Sequence, residues 1–289
     1  MQVDALRSVR YAGLAADDVG RSDARAPLVL LHGLTFDRQM WRPTLAELAT
    51  IDPDRRAIAI DLPGHGDSPD ATSYTLETLV GRVHAAIGDA GLEAPIVVGH
   101  SASASTAFLY AVMHPSRGVV AVEGTLRVGP FAAMAKSMEP VLRGPGFDEA
   151  FGRILATTFG LDAVTPDVRD FVIATSRPQQ DVVLGYWQPL FQLSPLELDA
   201  MVAQGAAAIR GSGLPFASVL GHDPSPEDVA WIGSNLPGMR IEVWPHSGHF
   251  PHLAHARRFA ELLAETGTWP IRAAEPVASG SMSGRRTGM

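Results

Sequence analysis

The chain has 289 residues, 46% of them hydrophobic and 19% charged, which is enough apolar material for a sizeable core and excludes wholesale disorder. Its formal net charge is −8, from 23 Lys and Arg against 31 Asp and Glu with no basic block, so it lacks the electrostatic footprint of a nucleic-acid or anionic-membrane binder. The absence of cysteine excludes disulfides, thiolate metal sites, a cysteine nucleophile and iron–sulfur clusters.

The first ten residues, Met1 to Arg10, do not follow the charged-then-apolar pattern of a secretory signal. No apolar run approaches the about 18 residues that cross a bilayer, which predicts a soluble cytoplasmic protein. Residues 1–20 predict an antiparallel hairpin, with Asp17, Asp18 and Gly20 as its turn signal. Apolar runs then predict buried strands at 27–31, 56–61, 95–99, 118–123, 215–221 and 240–245. Helical patterns fall at 37–49, 75–90, 101–114, 225–236 and 252–265. Strands alternating with helices predict a mostly parallel, doubly wound α/β sheet. The rhythm stops between 125 and 213, where a helix-rich segment punctuated by Pro and Gly reads as an insertion after a strand. Core segments are therefore expected at 1–124 and 214–272, a helical insertion at 125–213, and a disordered Ser/Gly/Arg-rich tail at 273–289.

The densest chemical signal is Gly99-His100-Ser101-Ala102-Ser103, where a buried strand runs directly into a helix. A serine on so tight a turn is pushed out at the carboxyl edge of the sheet, at a helix N-terminus able to stabilise an anion. Ser103 stands where G-x-S-x-G has its second glycine. A bare strand-to-helix turn with a capping serine explains G-x-S when it stands alone. Here a second turn, His32-Gly33-Leu34, ends an earlier strand and can aim the Leu34 amide at the same edge as the Ala102 amide. Asp61-Leu62-Pro63-Gly64-His65-Gly66-Asp67-Ser68 closes the next strand, and Ser247-Gly248-His249-Phe250 precedes the last helix.

Taken together, HG, D-x-P-G-x-G-x-S, G-H-S and S-G-H-F in this order resemble the α/β-hydrolase superfamily over about residues 27–265. The resemblance implies Ser101 as nucleophile, His249 as general base, and the Leu34 and Ala102 amides as an oxyanion hole. It implies that the 125–213 insertion is a cap over the site. It leaves two candidates for the acid. Asp223 lies at the commoner family position, though Gly221-His222-Asp223 is one residue shorter than the usual loop. Glu123 resembles the variant, as in haloalkane dehalogenases, in which the acid follows the strand after the nucleophile helix. A carboxylate closing an apolar strand is costly unless something uses it; Asp223 reads equally well as a helix cap.

Gly33, Phe36, His100, Tyr186, Trp187 and Phe250 are the candidate substrate-binding residues, with Tyr186 and Trp187 as an apolar roof. His65 and His100 occupy variable motif positions and also read as structural; His246, His252 and His255 read as surface or helix-face residues. The expected activity is hydrolysis of a carboxylic ester or lactone of an apolar small molecule through an acyl-enzyme, which requires no metal, nucleotide or flavin. Serine at the elbow argues against dehalogenase or epoxide-hydrolase chemistry. Two alternatives use the same residues: C–C hydrolysis, lyase or perhydrolase chemistry, and a ligand receptor without turnover.

Overall fold

A computed structural model describes residues 6–269; the expected tail at 273–289 and the first five residues of the hairpin region lie outside the described residues. The strands are β1 (Arg7–Tyr11), β2 (Leu14–Val19), β3 (Leu28–Leu31), β4 (Ala57–Ile60), β5 (Ile96–His100), β6 (Gly118–Val122), β7 (Phe216–Leu220) and β8 (Arg240–Val243). They form one sheet in the order β1-β2-β4-β3-β5-β6-β7-β8. β1 pairs with β2 and β2 with β4 antiparallel; all later pairings are parallel. The helices are α1 (Arg42–Ile51), α2 (Leu76–Asp89), α3 (Ala102–Met113), α4 (Gly129–Leu142), α5 (Phe147–Arg153), α6 (Pro166–Thr175), α7 (Gln180–Tyr186), α8 (Gln188–Gln192), α9 (Pro195–Ser212), α10 (Pro226–Asn235), α11 (Pro251–Ala254) and α12 (Ala256–Glu265). The segment joining β6 to β7 is thus helical, carrying α4 to α9.

The central strands are apolar along almost their whole length because both faces of the sheet are covered. Leu28, Leu30, Ala57, Ala59, Ile96, Val98, Val120 and Val122 point to one face and pack with Leu45, Leu48, Phe259 and Leu263 of α1 and α12. The alternate residues, Val29, Leu31, Ile58, Ile60, Val97, Val119 and Ala121, point to the other and pack with Val80, Val83 and Ala107 of α2 and α3. This two-residue alternation fixes the register, and the parallel pairing of β3 to β8 carries their carboxyl ends to one edge. Helix boundaries follow local chemistry. The Thr75 hydroxyl accepts the Thr78 amide at the start of α2. α9 opens on a Ser194–Glu197 capping box and closes on Gly213 at φ 62.

Two expectations change. The hairpin turns at Ala12 and Gly13, and Asp17 and Asp18 lie within β2, fully buried. They are tolerated there because arginines reach them: Arg38 Nε is 3.0 Å and Arg42 Nε 3.0 Å from Asp17, while Arg7 and Arg56 pair with Asp18 at 3.1 and 3.2 Å. Arg38 also pairs with the buried Asp61 and, at 2.8 Å, with Asp67, so the D-x-P-G-x-G-x-S turn is bolted to the hairpin. The second change is His252, which is fully buried rather than on the surface. Its ring lies 4.7 Å from that of Trp41 and 6.2 Å from that of Phe259, because the expected helix 252–265 breaks at His255 into α11 and α12. No helix among the described residues is long and apolar enough to cross a membrane.

Arg38→Met should leave Asp17 and Asp61 buried without their main counter-charge and lower the unfolding free energy by about 3–5 kcal/mol, read from the urea midpoint; a loss no larger than for an exposed arginine would show that the cluster is already satisfied without it. Burial depresses His252 to about 3, so it is neutral in the fold. Its contribution to stability is present above the unfolded value near 6.5 and is lost as pH falls from there toward 3. His252→Phe should therefore stabilise more at pH 5 than at pH 8; an equal change at both pH values would contradict the neutral assignment.

Candidate active site

Ser101 follows β5 without a linking residue and starts α3 at φ 55, ψ −122. That positive-φ conformation costs roughly 1–3 kcal/mol for a non-glycine residue. It is held by the Ser101 amide, which donates to the Val122 carbonyl at 2.8 Å. Gly99 is obligatory beneath it, because a Cβ there would strike the Ser103 carbonyl. Ser103 is more than a small residue: its buried hydroxyl donates to the His32 carbonyl, tying α3 to the His32-Gly33-Leu34 turn. Gly33 is pressed so close that a Cβ would lie 2.6 Å from His100 Nδ1 and 3.3 Å from Ser101 Cβ. Among the described residues the Leu34 and Ala102 amides donate to no internal acceptor.

The turn around Leu34 is fixed from behind by two buried histidines. His32 Nε2 accepts the Leu62 amide at 3.0 Å, so its Nδ1–H donates to the Gly33 carbonyl at 2.8 Å. His65 Nε2 accepts the amide of Thr35, at φ 72, over 3.2 Å, and its Nδ1–H donates to the Pro63 carbonyl at 2.9 Å. Burial holds both neutral, at about 4 and about 3, which preserves the acceptor nitrogens these bonds require.

Glu123 follows Val122, the last residue of β6, at φ 50. Its Oε2 lies 3.1 Å from His249 Nδ1, so His249 donates from Nδ1, which leaves Nε2 as the acceptor nitrogen of the neutral ring. That Nε2 is buried and unpartnered among the described residues. The other carboxylate oxygen accepts the Gly221 amide and lies 3.5 Å from His222 Nδ1. Burial alone would raise the Glu123 carboxyl, but the bonds from His222, His249 and Gly221 hold it at about 2. It is therefore an anion at any physiological pH.

Asp223, the other candidate acid, is exposed and makes no hydrogen bond to His249. The placement has a local cause: the short Gly221-His222-Asp223 loop turns its first amide into the Glu123 carboxylate, and Asp223 falls beyond it. The expected capping role passes to Ser225, whose hydroxyl accepts the Asp228 amide.

His100 is fully buried, with Nε2 donating to the His249 carbonyl at 2.8 Å and its ring centroid 5.1 Å from that of His249. The residue before Ser101 thus grips the backbone of His249. Phe36 and Phe250 are almost wholly buried and pack edge-to-face at 5.8 Å, against His100 and, for Phe250, His249. Both rings thus back the histidines. Tyr186 donates to the Pro63 carbonyl at 3.2 Å and meets the His65 ring edge-on at 5.2 Å, so it fastens the insertion to the core. Trp187 packs in an apolar cluster with Leu34, Phe151 and Ile154, which Ala102, Phe131 and Phe159 also touch. The supporting contacts of Ser103, His222 and Phe159 have no signal in the sequence, since each is made with a partner far along the chain.

A strained serine, an imidazole with a free Nε2, an ionised carboxylate behind it and two unused amides can support nucleophilic attack and hold a developing oxyanion. Among the described residues no group of three or more His, Asp or Glu is arranged to hold a metal ion.

The chain is similar to 2-succinyl-6-hydroxy-2,4-cyclohexadiene-1-carboxylate synthase of Serratia proteamaculans, at 25% identity over 86% of this chain and 96% of that protein. Its fold matches the crystal structure of the enol-lactonase from Burkholderia xenovorans LB400 with a TM-score of 0.60 and 18% identity, over 90% of this chain and 99% of that one. It also matches a carboxylesterase structure from Nitrososphaera gargenis with a TM-score of 0.69 and 17% identity, over 90% and 97%. The family model for the alpha/beta hydrolase family spans residues 28–262, covering the Ser101 turn, Glu123 and His249, and the chain belongs to that family.

Proposed function

We propose that this protein is a serine hydrolase that cleaves a carboxylic ester or lactone of an apolar small molecule through an acyl-enzyme. The observation that supports this reading best is the state of His249: Nδ1–H is committed to Glu123 at 3.1 Å while Nε2 is left as a buried free acceptor. It sits on the same sheet edge as the strained Ser101. In this reading Ser101 Oγ attacks the substrate carbonyl carbon and passes its proton to His249 Nε2. Glu123 stabilises the imidazolium, and the Leu34 and Ala102 amides hold the oxyanion. Collapse breaks the bond to the alkoxy oxygen, which leaves with the proton from His249. Water activated by the same imidazole then releases the acid and restores Ser101. The helical insertion acts as a cap whose apolar cluster around Trp187 and Leu34 favours an apolar substrate body.

A second reading is favoured by the Serratia relative, matched over 96% of its length and named a synthase. Here the Ser101–His249 pair would move a proton in a lyase-type reaction without an acyl-enzyme.

A fluorophosphonate probe separates the two. Under the first reading it labels Ser101, located by peptide mass spectrometry, and Ser101→Ala abolishes the adduct; a folded protein left unlabelled favours the second. His249→Ala should lower kcat by on the order of a thousandfold without loss of fold. Glu123→Gln should nearly abolish turnover of an activated ester, while Asp223→Asn stays within about twofold. The reverse ranking would return the acid role to Asp223.

A further inference from the structure

Phe159 stands in the helical insertion, directly after the π-helical turn Ile154–Thr158. Such wide turns recur at functional sites because the extra residue redirects the chain beyond it. The Phe159 amide closes the turn on the Ile154 carbonyl at 3.2 Å, and Gly160 comes next at φ 62. This delivers the Phe159 ring flat onto the His249 imidazole, with centroids 4.3 Å apart and planes 9° from parallel. The main chain adds a second hold: the Phe159 carbonyl accepts the His249 amide at 3.0 Å. Gly248, at φ 50, leaves the gap this contact needs, since a Cβ there would lie 2.6 Å from the Gly160 carbonyl and 3.1 Å from that of Phe159. Phe159 also packs against both apolar clusters of the site, the one with Leu34 and Trp187 and the one with Phe36 and Phe250.

We propose that Phe159 is a positioning residue through which the insertion holds the His249 imidazole against Glu123 and stabilises its protonated form, an inference that rests on the serine-hydrolase reading. Stacking restricts rotation of the ring about the bond that keeps Nδ1 on the carboxylate. An aromatic face also attracts an imidazolium more than a neutral imidazole. The charge on His249 develops in the transition state, so this attraction contributes to rate rather than to ground-state binding. The other groups facing His249 are Glu123 after β6 with His222 beyond it, His100 at the end of β5 and His252 on α11. Burial keeps His100 and His252 neutral, Glu123 supplies the fixed charge and raises His222 through their contact, and substitution at Phe159 leaves all four groups in place.

The test compares wild type, Phe159→Leu and Phe159→Trp by the rate of fluorophosphonate labelling across pH. In parallel, the His249 ring is titrated by NMR in the Ser101→Ala background, which needs no activity. Leu should slow labelling about tenfold or more and move the acid limb down by about half a pH unit, whereas Trp, the better cation–π partner, should keep the rate and move the limb up. Unchanged rate and limb in folded Phe159→Leu would overturn the proposal. If Phe159→Leu does not fold, Phe159→Trp decides alone, and a limb unmoved or moved down overturns it. If wild type is not labelled, the serine-hydrolase reading fails instead; the NMR order Leu below Phe below Trp then supports the contact, and equal midpoints refute it.

Discussion

A carboxylate at the end of a fully apolar strand must be satisfied or it unfolds its surroundings, and Glu123 is that carboxylate. Val119 to Val122 are all buried, and the chain then turns at φ 50 to present an anion at the sheet edge. Three groups from two segments come to meet it. The end of β7 gives the Gly221 amide, the loop after β8 gives His249 Nδ1, and His222 approaches from the exposed side. These bonds place the loop before α11 relative to β6, and His100 fixes the same loop to β5 through the His249 carbonyl. Loss of any one donor leaves the same charge buried with less to offset it.

Backbone strain gathers where the chemistry is expected. Thr35, Ser101, Glu123 and His246 all have positive φ in turns after strands at the carboxyl edge of the sheet. Each such residue costs roughly 1–3 kcal/mol and persists only where its surroundings over-determine it. The surroundings do so here: Ser101 is held by Val122, Thr35 by His65, and Glu123 by the Val219 carbonyl at 2.9 Å as well as by its side-chain partners. Ser103 shows how a departure from the usual motif is absorbed. It is small enough for the close approach of Gly99, and its hydroxyl supplies a bond to His32 that glycine could not.

The helical insertion is attached at points that touch the site's own supports. Tyr186 bonds to the Pro63 turn that His65 organises, and Phe159 lies on His249. Apolar packing from the insertion reaches Leu34 and Ala102 on one side and Phe36 and Phe250 on the other. The helical segment between β6 and β7 and the supports of Ser101 and His249 are therefore one connected structure.

The α/β alternation, the strands of the sheet and the turns that bear Ser101, Leu34 and His249 are legible in the order of residues alone. Those features are written locally: apolar runs of strand length, G-x-S at a strand-to-helix junction, and glycine where backbones approach. The same local reading narrows the acid to two carboxylates. Packing treats the two differently, bringing Glu123, 126 residues away in sequence, to 3.1 Å from His249 while leaving Asp223 exposed. Packing likewise sets the burial of Asp17, Asp18 and His252, the bond from Ser103 and the stack of Phe159. Each depends on a partner supplied by a distant segment, and a charge or a ring carries no local mark of which partner will meet it. Local propensity writes elements and turns; the pairing of buried polar groups is a property of how those elements pack.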